Sequence, residues 1–159
     1  MRNGLIVAAL ILFLDQVSKL MLVDFMVARD GIPLNVAPFF DLVMVWNTGV
    51  SFGMFSGGPE ETRLILFALN IVVAIALVFW LRKSVNWTER YGIALVIGGA
   101  LGNAIDRIHY GAVADFFSLY VNTWHWPAFN VADIAISVGV GILLFDSLFL
   151  SGKSDKKAA

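Results

Sequence analysis

The chain has no cysteine, which excludes disulfides and thiolate chemistry. It has only two histidines, His109 and His125, and their spacing is not that of zinc ligands, so no metal site and no cofactor are expected. Charge is scarce as well. Asp, Glu, Lys and Arg make up 14% of the residues, where a soluble domain carries about a quarter. No basic patch interleaved with aromatics appears, so a nucleic-acid partner is excluded. A net charge of −1 points to no partner of either sign.

What the chain has in abundance is hydrocarbon, with 59% of its residues hydrophobic. Four apolar runs stand out, at about residues 4–23, 64–81, 91–108 and 131–150. Each is about 18–20 residues long, enough for a helix to cross a hydrocarbon core of about 30 Å. The expected fold class is an all-α membrane protein with four transmembrane helices, forming a single domain over residues 1–159. Asp15, Gln16 and Lys19 interrupt the first run and no small-x-small cleavage site follows it, so it reads as a retained helix. The polar tail 151–159 is expected to be disordered.

Basic residues set the orientation. Arg2 precedes the first run, Arg82, Lys83 and Arg90 lie between the second and third, and Lys153, Lys156 and Lys157 follow the fourth. With four crossings these fall on one side, which places both termini in the cytoplasm. Lys19, Arg29, Arg63 and Arg107 then belong to helix ends and the opposite loops.

Two connections on that opposite side are long. Residues 24–63 contain Pro33, Pro38 and Gly57-Gly58, so they are not one helix. The middle of this connection, 39–55, is rich in Val, Phe, Met and Trp. It predicts short strands broken at Asn47-Thr48-Gly49, forming a small extracytoplasmic sheet on the membrane surface. Residues 109–130 carry Tyr110, Tyr120, Trp124 and Trp126, aromatic types that settle at the interface, and read as a loop.

Polar residues within the runs require explanation, because ionisable groups at membrane depth are costly and mark functional sites by default. Asp15 and Lys19 share a helix face and read as a buried ion pair. Ala94, Gly98 and Gly102, four apart, form a small-residue face for close helix packing. Asn103, Asp106 and Arg107 follow within one turn, and Asp106 beside Arg107 predicts a hydrogen-bonded cluster there. Asn130 is a good N-cap, which puts Asp133 at the third helical position, where its charge suits the helix dipole. Taken alone, Asp115 is an ordinary loop carboxylate, Asn47 a turn residue, and Asp146 a solvated or snorkelling helix-end residue. Taken together, Asp115 and Asp133 fall on the same outer face, and two carboxylates sharing one proton are the minimum equipment of an aspartic protease.

Five blocks occur in order: Asp15-Gln16-Val17-Ser18-Lys19, Asn47-Thr48-Gly49-Val50-Ser51-Phe52, Gly98 to Arg107, Val113-Ala114-Asp115-Phe116, and Phe129-Asn130-Val131-Ala132-Asp133. In this order and spacing the chain resembles the bacterial signal peptidase II family, the lipoprotein signal peptidases. The resemblance covers nearly the whole chain. It implies an aspartyl endopeptidase of the bacterial inner membrane, acting on a prolipoprotein whose lipobox Cys already carries diacylglycerol, and cleaving just before that Cys. It also implies that Asp115 and Asp133 are the catalytic pair. Asp15, Asn47, Asn103, Arg107 and Asn130 match family positions that line or support the site, and Lys19, Gly49 and Asp106 stand in the same blocks.

In such a dyad one carboxylate takes a proton from water while the other, protonated, assists the carbonyl oxygen. A helix N-terminus favours negative charge, which points to Asp133 as the member that starts ionised. The expected partners are the prolipoprotein and membrane lipid, and a monomer would hold the whole site. Two other classes fit a cluster of intramembrane polar groups. One is a small proton-coupled transporter, with a relay through Asp15, Lys19, Asp106 and Asp133. The other is a non-enzymatic membrane assembly factor.

Overall fold

The computed structural model describes residues 1–49 and 59–150. Residues 50–55 of the expected strand segment, Gly57-Gly58 and the tail with Lys153, Lys156 and Lys157 lie outside the described residues. Four long helices and a small antiparallel sheet make up the rest. Helix α1 spans Arg2–Val27, α2 Pro59–Lys83, α3 Trp87–His109 and α4 Val131–Phe145, the last continued by a π-helical turn over Asp146–Leu150. The first three exceed their apolar runs by a few residues at one or both ends, because polar end residues complete the terminal turns. In α2 these are Glu60 and Glu61 in the first turn and Arg82 and Lys83 in the last, each complementing the helix dipole.

Close contacts fix the helix directions. A Cβ placed on Gly4 of α1 would touch Leu81 at the end of α2, so α2 runs against α1. Gly98 of α3 meets Ala8 and Ile11 of α1, and Gly102 meets Asp15, so α3 runs with α1. Gly92 meets Gly139 of α4 while Gly99 meets Ala132, so α4 runs against α3. Helix α3 is therefore the centre of the bundle, packed on the other three. It buries Ile93, Ala94, Ile97, Gly98, Ala100 and Gly102 along its length. The outer helices instead turn Leu10, Phe13, Leu69, Val72, Ile75, Val138 and Leu144 outward. Among the described residues, α1, α2 and the α4 segment to Phe149 are long and apolar enough to cross a membrane. Helix α3, which carries Glu89, Arg90, Asp106 and Arg107, is not among them, so the structure gives three candidate spans where the sequence predicts four.

The sheet has the order β1-β2-β3-β4, with β1 at Leu34–Ala37, β2 at Phe40–Asn47, β3 at Val113–Val121 and β4 at Trp124–His125. Strand β2 ends at Asn47, where the sequence predicts the break. Residues 113–121, expected as loop, are the longest strand. They pair with β2 from Phe40 opposite Leu119 to Asn47 opposite Val113, with a bulge between Leu42 and Val45. Gly111, at φ +79°, makes the turn from α3 into β3 that a side chain would strain. Asp146 is also corrected. It is 95% buried and accepts a hydrogen bond from the Thr88 hydroxyl of α3, so it is neither solvated nor snorkelling.

The α1–α3 contact sets a test. A Cβ on Gly98 would lie 2.7 Å from the carbonyl oxygen of Ala8 and 2.8 Å from the Cβ of Ile11, neither of which can move alone. Gly98→Ala is expected to cost about 1–3 kcal/mol, as overpacking of close-packed interiors does. Gly141→Ala, whose Cβ meets nothing within 4 Å, should leave stability unchanged or raise it. Thermal unfolding of both variants in one detergent checks the contrast.

Candidate active site

At one end of the bundle a buried cation joins α1 to α3, and its counter-ions reach α4 and β3. The ammonium of Lys19, 1% exposed, lies 2.9 Å from Asp15 Oδ2 and 2.8 Å from Asp106 Oδ2, and donates to Asn103 Oδ1 at 3.2 Å. Its three N–H bonds thus meet three acceptors. The remaining carboxylate oxygens are used too. Asp15 Oδ1 accepts from the backbone N–H of Ala132 at 2.9 Å, satisfying an orphan donor in the first turn of α4. Asp106 Oδ1 accepts from Gln16 Nε2 at 3.1 Å, and its Oδ2 also accepts from the Ala114 N–H of β3 at 3.1 Å. Gly102 is required here, because any Cβ would collide with the Asp15 carboxylate.

Beside this cluster three asparagines face Asp115 and Asp133. Each has its carbonyl oxygen against a group that can only donate, so its amide nitrogen must point the other way. Asn47 Oδ1 accepts from the Gly49 N–H at 3.2 Å, and its Nδ2 donates to Asp115 Oδ2 at 3.1 Å. Asn130 Oδ1 accepts from the Asp133 N–H at 3.0 Å, and its Nδ2 donates to Asp115 Oδ1 at 2.7 Å. Asn103 Oδ1 accepts from Lys19, and its Nδ2 donates to Asp133 Oδ1 at 2.8 Å. The backbone N–H of Asn130 completes the set at 3.2 Å from Asp133 Oδ2. Asn130 and Asp133 therefore form a capping box at the start of α4. Every oxygen of the two carboxylates has a donor.

Burial pushes the Asp115 carboxyl up, the charge of Asp133 pushes it further, and hydrogen bonds from Asn47 and Asn130 oppose both, leaving it raised to about 6. Asp115 is 1% exposed, whereas Asp133 is half-buried and opens onto a groove of about 660 Å³. The groove is lined by Asn47, Trp126, Phe129, Ile134 and Val138. It runs from the sheet along an apolar face of α4, a shape suited to an extended chain with apolar side chains.

The sequence candidates Asp15, Lys19, Asn47, Gly49, Asn103, Asp106, Asp115, Asn130 and Asp133 come together in this one network. Asp106 forms the expected cluster, but its cation is Lys19. Arg107 instead donates to the Asn103 carbonyl at 3.0 Å, since adjacent helical residues point about 100° apart. Arg107 remains close enough to Asp133, Asp106 and Asp115 to feel their charges. Asp115 sits in strand β3, opposite Val45, and not in a loop. Gln16, which ties Asp15 to Asp106 at 3.1 Å from each, stands in the first sequence block yet is missing from the predicted site. A neutral amide beside two charges gave no separate signal.

The Asp115 carboxyl should titrate near 6 when aspartates are followed by ¹³C NMR, with the signal assigned by its loss in Asp115→Asn. Asp133→Asn should draw that midpoint downward, because one raising charge is removed while burial stays. An unmoved midpoint would mean that the two carboxylates do not feel each other.

Comparison with known proteins bears on the same residues. A family model described as signal peptidase (SPase) II matches residues 7–149. A lipoprotein signal peptidase of Rhodopseudomonas palustris is 46% identical over 152 residues, covering 92% of each chain. One from Methylobacterium radiotolerans is 44% identical over 158 residues, covering 98% of this chain and 91% of the relative. A solved structure titled as a bacterial membrane enzyme at 1.9 Å resolution superposes with a TM-score of 0.78. It is 29% identical and covers 95% of this chain and 96% of the other. With its four helices, its sheet and the polar network between them, the chain belongs to the signal peptidase II family.

Proposed function

We propose that this protein is an aspartyl endopeptidase that removes the signal peptide from diacylglyceryl-modified prolipoproteins, cutting just before the lipidated Cys. One observation carries the reading. Asp115 and Asp133, from a strand and a helix, are joined through a single residue, Asn130, whose Nδ2 serves one carboxylate and whose backbone N–H serves the other. The groove opens at Asp133, and Asn47, which donates to the enclosed Asp115, also lines it.

Asp115, raised to about 6 by burial and by Asp133, is the member that holds the shared proton. Asp133, at the N-terminus of α4, starts ionised. It takes a proton from a bound water, whose oxygen attacks the peptide carbonyl. Asp115 gives its proton to the carbonyl oxygen as the centre becomes tetrahedral. Collapse then returns a proton to Asp115, the C–N bond breaks, and Asp133 protonates the leaving amine. Asn47, Asn103 and Asn130 hold the dyad, Gly49 keys Asn47, and Asp15, Lys19, Asp106 and Arg107 hold the frame around it.

The whole chain acts as one membrane domain with four crossings, both termini in the cytoplasm and the dyad at the outer face. Helix α3, at 23 residues, is about 35 Å long and so matches its neighbours in span. The exposed aromatics Trp46, Trp124 and Trp126 of the site end suit the outer interface, where lipid would hold the acylated substrate. A monomer contains every group the reaction uses.

Cleavage of a diacylglyceryl-modified prolipoprotein by purified protein in detergent, with EDTA throughout, tests the reading. Asp115→Asn and Asp133→Asn, each shown to be folded, should each lose at least about 10²–10⁴-fold in rate, the contribution of general acid–base catalysis. Full activity in either variant would remove that aspartate from the chemistry.

A further inference from the structure

Lys19 does more than balance two buried carboxylates. Its third N–H bond goes to Asn103 Oδ1 at 3.2 Å, and Asn103 in turn donates to Asp133 Oδ1 at 2.8 Å. An amide side chain has a donor end and an acceptor end, and either end could face Asp133. An ammonium has no acceptor, so only the carbonyl end of Asn103 can face Lys19. The amide nitrogen is thereby turned toward Asp133. A donor there favours the ionised carboxylate, whereas the reversed amide would favour the protonated form.

We infer that Lys19 is a positioning residue for the reaction, fixing the orientation of Asn103 so that Asp133 is held as the ionised, proton-accepting member of the pair. This rests on the dyad reading above. One other donor reaches Asn103 Oδ1, the Nδ2 of Asn130 at 3.2 Å. Its two hydrogens are shared among three acceptors, Asn103 Oδ1, Asp115 Oδ1 at 2.7 Å and the Ala114 carbonyl at 3.3 Å. Lys19 has one hydrogen for each of its three acceptors, so it is the donor that Asn103 does not share. Lys19 is bounded by Asp15 on its own helix and by Asp106 and Asn103 on α3. Among the described residues, the charged groups that interact with Asp133 are Asp115 from β3 and Arg107 from α3.

Steady-state cleavage of the diacylglyceryl-modified prolipoprotein across pH separates positioning from support. Lys19→Met should lower kcat about 10- to 100-fold, the value of a hydrogen bond to a charged group, with KM changed less than about twofold because no substrate contact is lost. The acidic limb of the kcat profile should move up, since the pair loses a fixed donor to its ionised form. The kcat penalty of Lys19→Met should largely vanish in an Asn103→Ala background, because the two substitutions cut the same link. Lys19→Met leaves two buried carboxylates without their cation, so Lys19→Met with Asp106→Asn is carried in parallel, against Asp106→Asn alone. An unshifted pH profile, penalties that multiply with Asn103→Ala, or failure of both Lys19 variants to fold would overturn the inference and leave Lys19 a structural residue. Asp115→Asn and Asp133→Asn in the same series keep the readings apart. If either cleaves normally, the dyad itself is wrong. If both are inactive and only the Lys19 result fails, the dyad stands without this link.

Discussion

A single buried ammonium organises one end of the molecule. Taking Lys19 out of water costs several kcal/mol unless its partners are close and fully hydrogen-bonded. Here they are, with two carboxylate oxygens within 2.9 Å. Asp15 and Asp106 come from different helices, so the ion cluster can form only when α1 and α3 lie side by side in one register. Gly102 is what permits that approach. The second oxygen of Asp15 then caps α4, and Asp106 takes an N–H of β3. One cation therefore sets the relation of two helices directly, and of a third helix and a strand through its counter-ions.

Hydrogen-bond polarity carries that order outward. Gly49 N–H, Lys19 Nζ and Asp133 N–H can only donate, and each fixes one asparagine. The amides pass the polarity on, so that Asp115 and Asp133 are surrounded by donors on every oxygen. A buried polar site with mobile amides would offer its carboxylates a mixture of donors and acceptors, and with it a mixture of protonation states. Keyed amides remove that ambiguity. The dyad still remains unequal, because Asp115 is enclosed while Asp133 opens to the groove.

The helices and most of the site were legible in the sequence because their signals are local. Apolar runs declare spans, Asn130 with Asp133 declares a cap, and Asp15 with Lys19 shares a face by spacing alone. Strand β3 was not legible. Its inner half, Val113 to Phe116, is buried on both sides and does not alternate, and its pairing partner lies about seventy residues earlier. The partner of Asp106 was misjudged for a similar reason. Arg107 is adjacent in sequence, but the cation that reaches Asp106 is 87 positions away, and only the α1–α3 packing brings it there. Asp146 was misread because a carboxylate near a helix end looks solvated until Thr88 of the neighbouring helix is placed against it.

Helix α3 is the least apolar of the long helices, and the bundle's directions explain how it can nevertheless sit between the others. Residues 4, 8 and 15 of α1 meet residues 90, 98 and 102 of α3 in ascending order, while residues 92 and 99 of α3 meet 139 and 132 of α4 in descending order. The helices thus alternate in direction along the chain, with only a short connection after α2 and the whole sheet at the opposite end. Enclosure by three apolar helices supplies what the composition of α3 lacks, and small residues supply the fit. With those directions the second half of α1, the C-terminal half of α3 and the first turn of α4 all reach the same end of the bundle, and these are the segments that hold Lys19, Asn103 and Asp133.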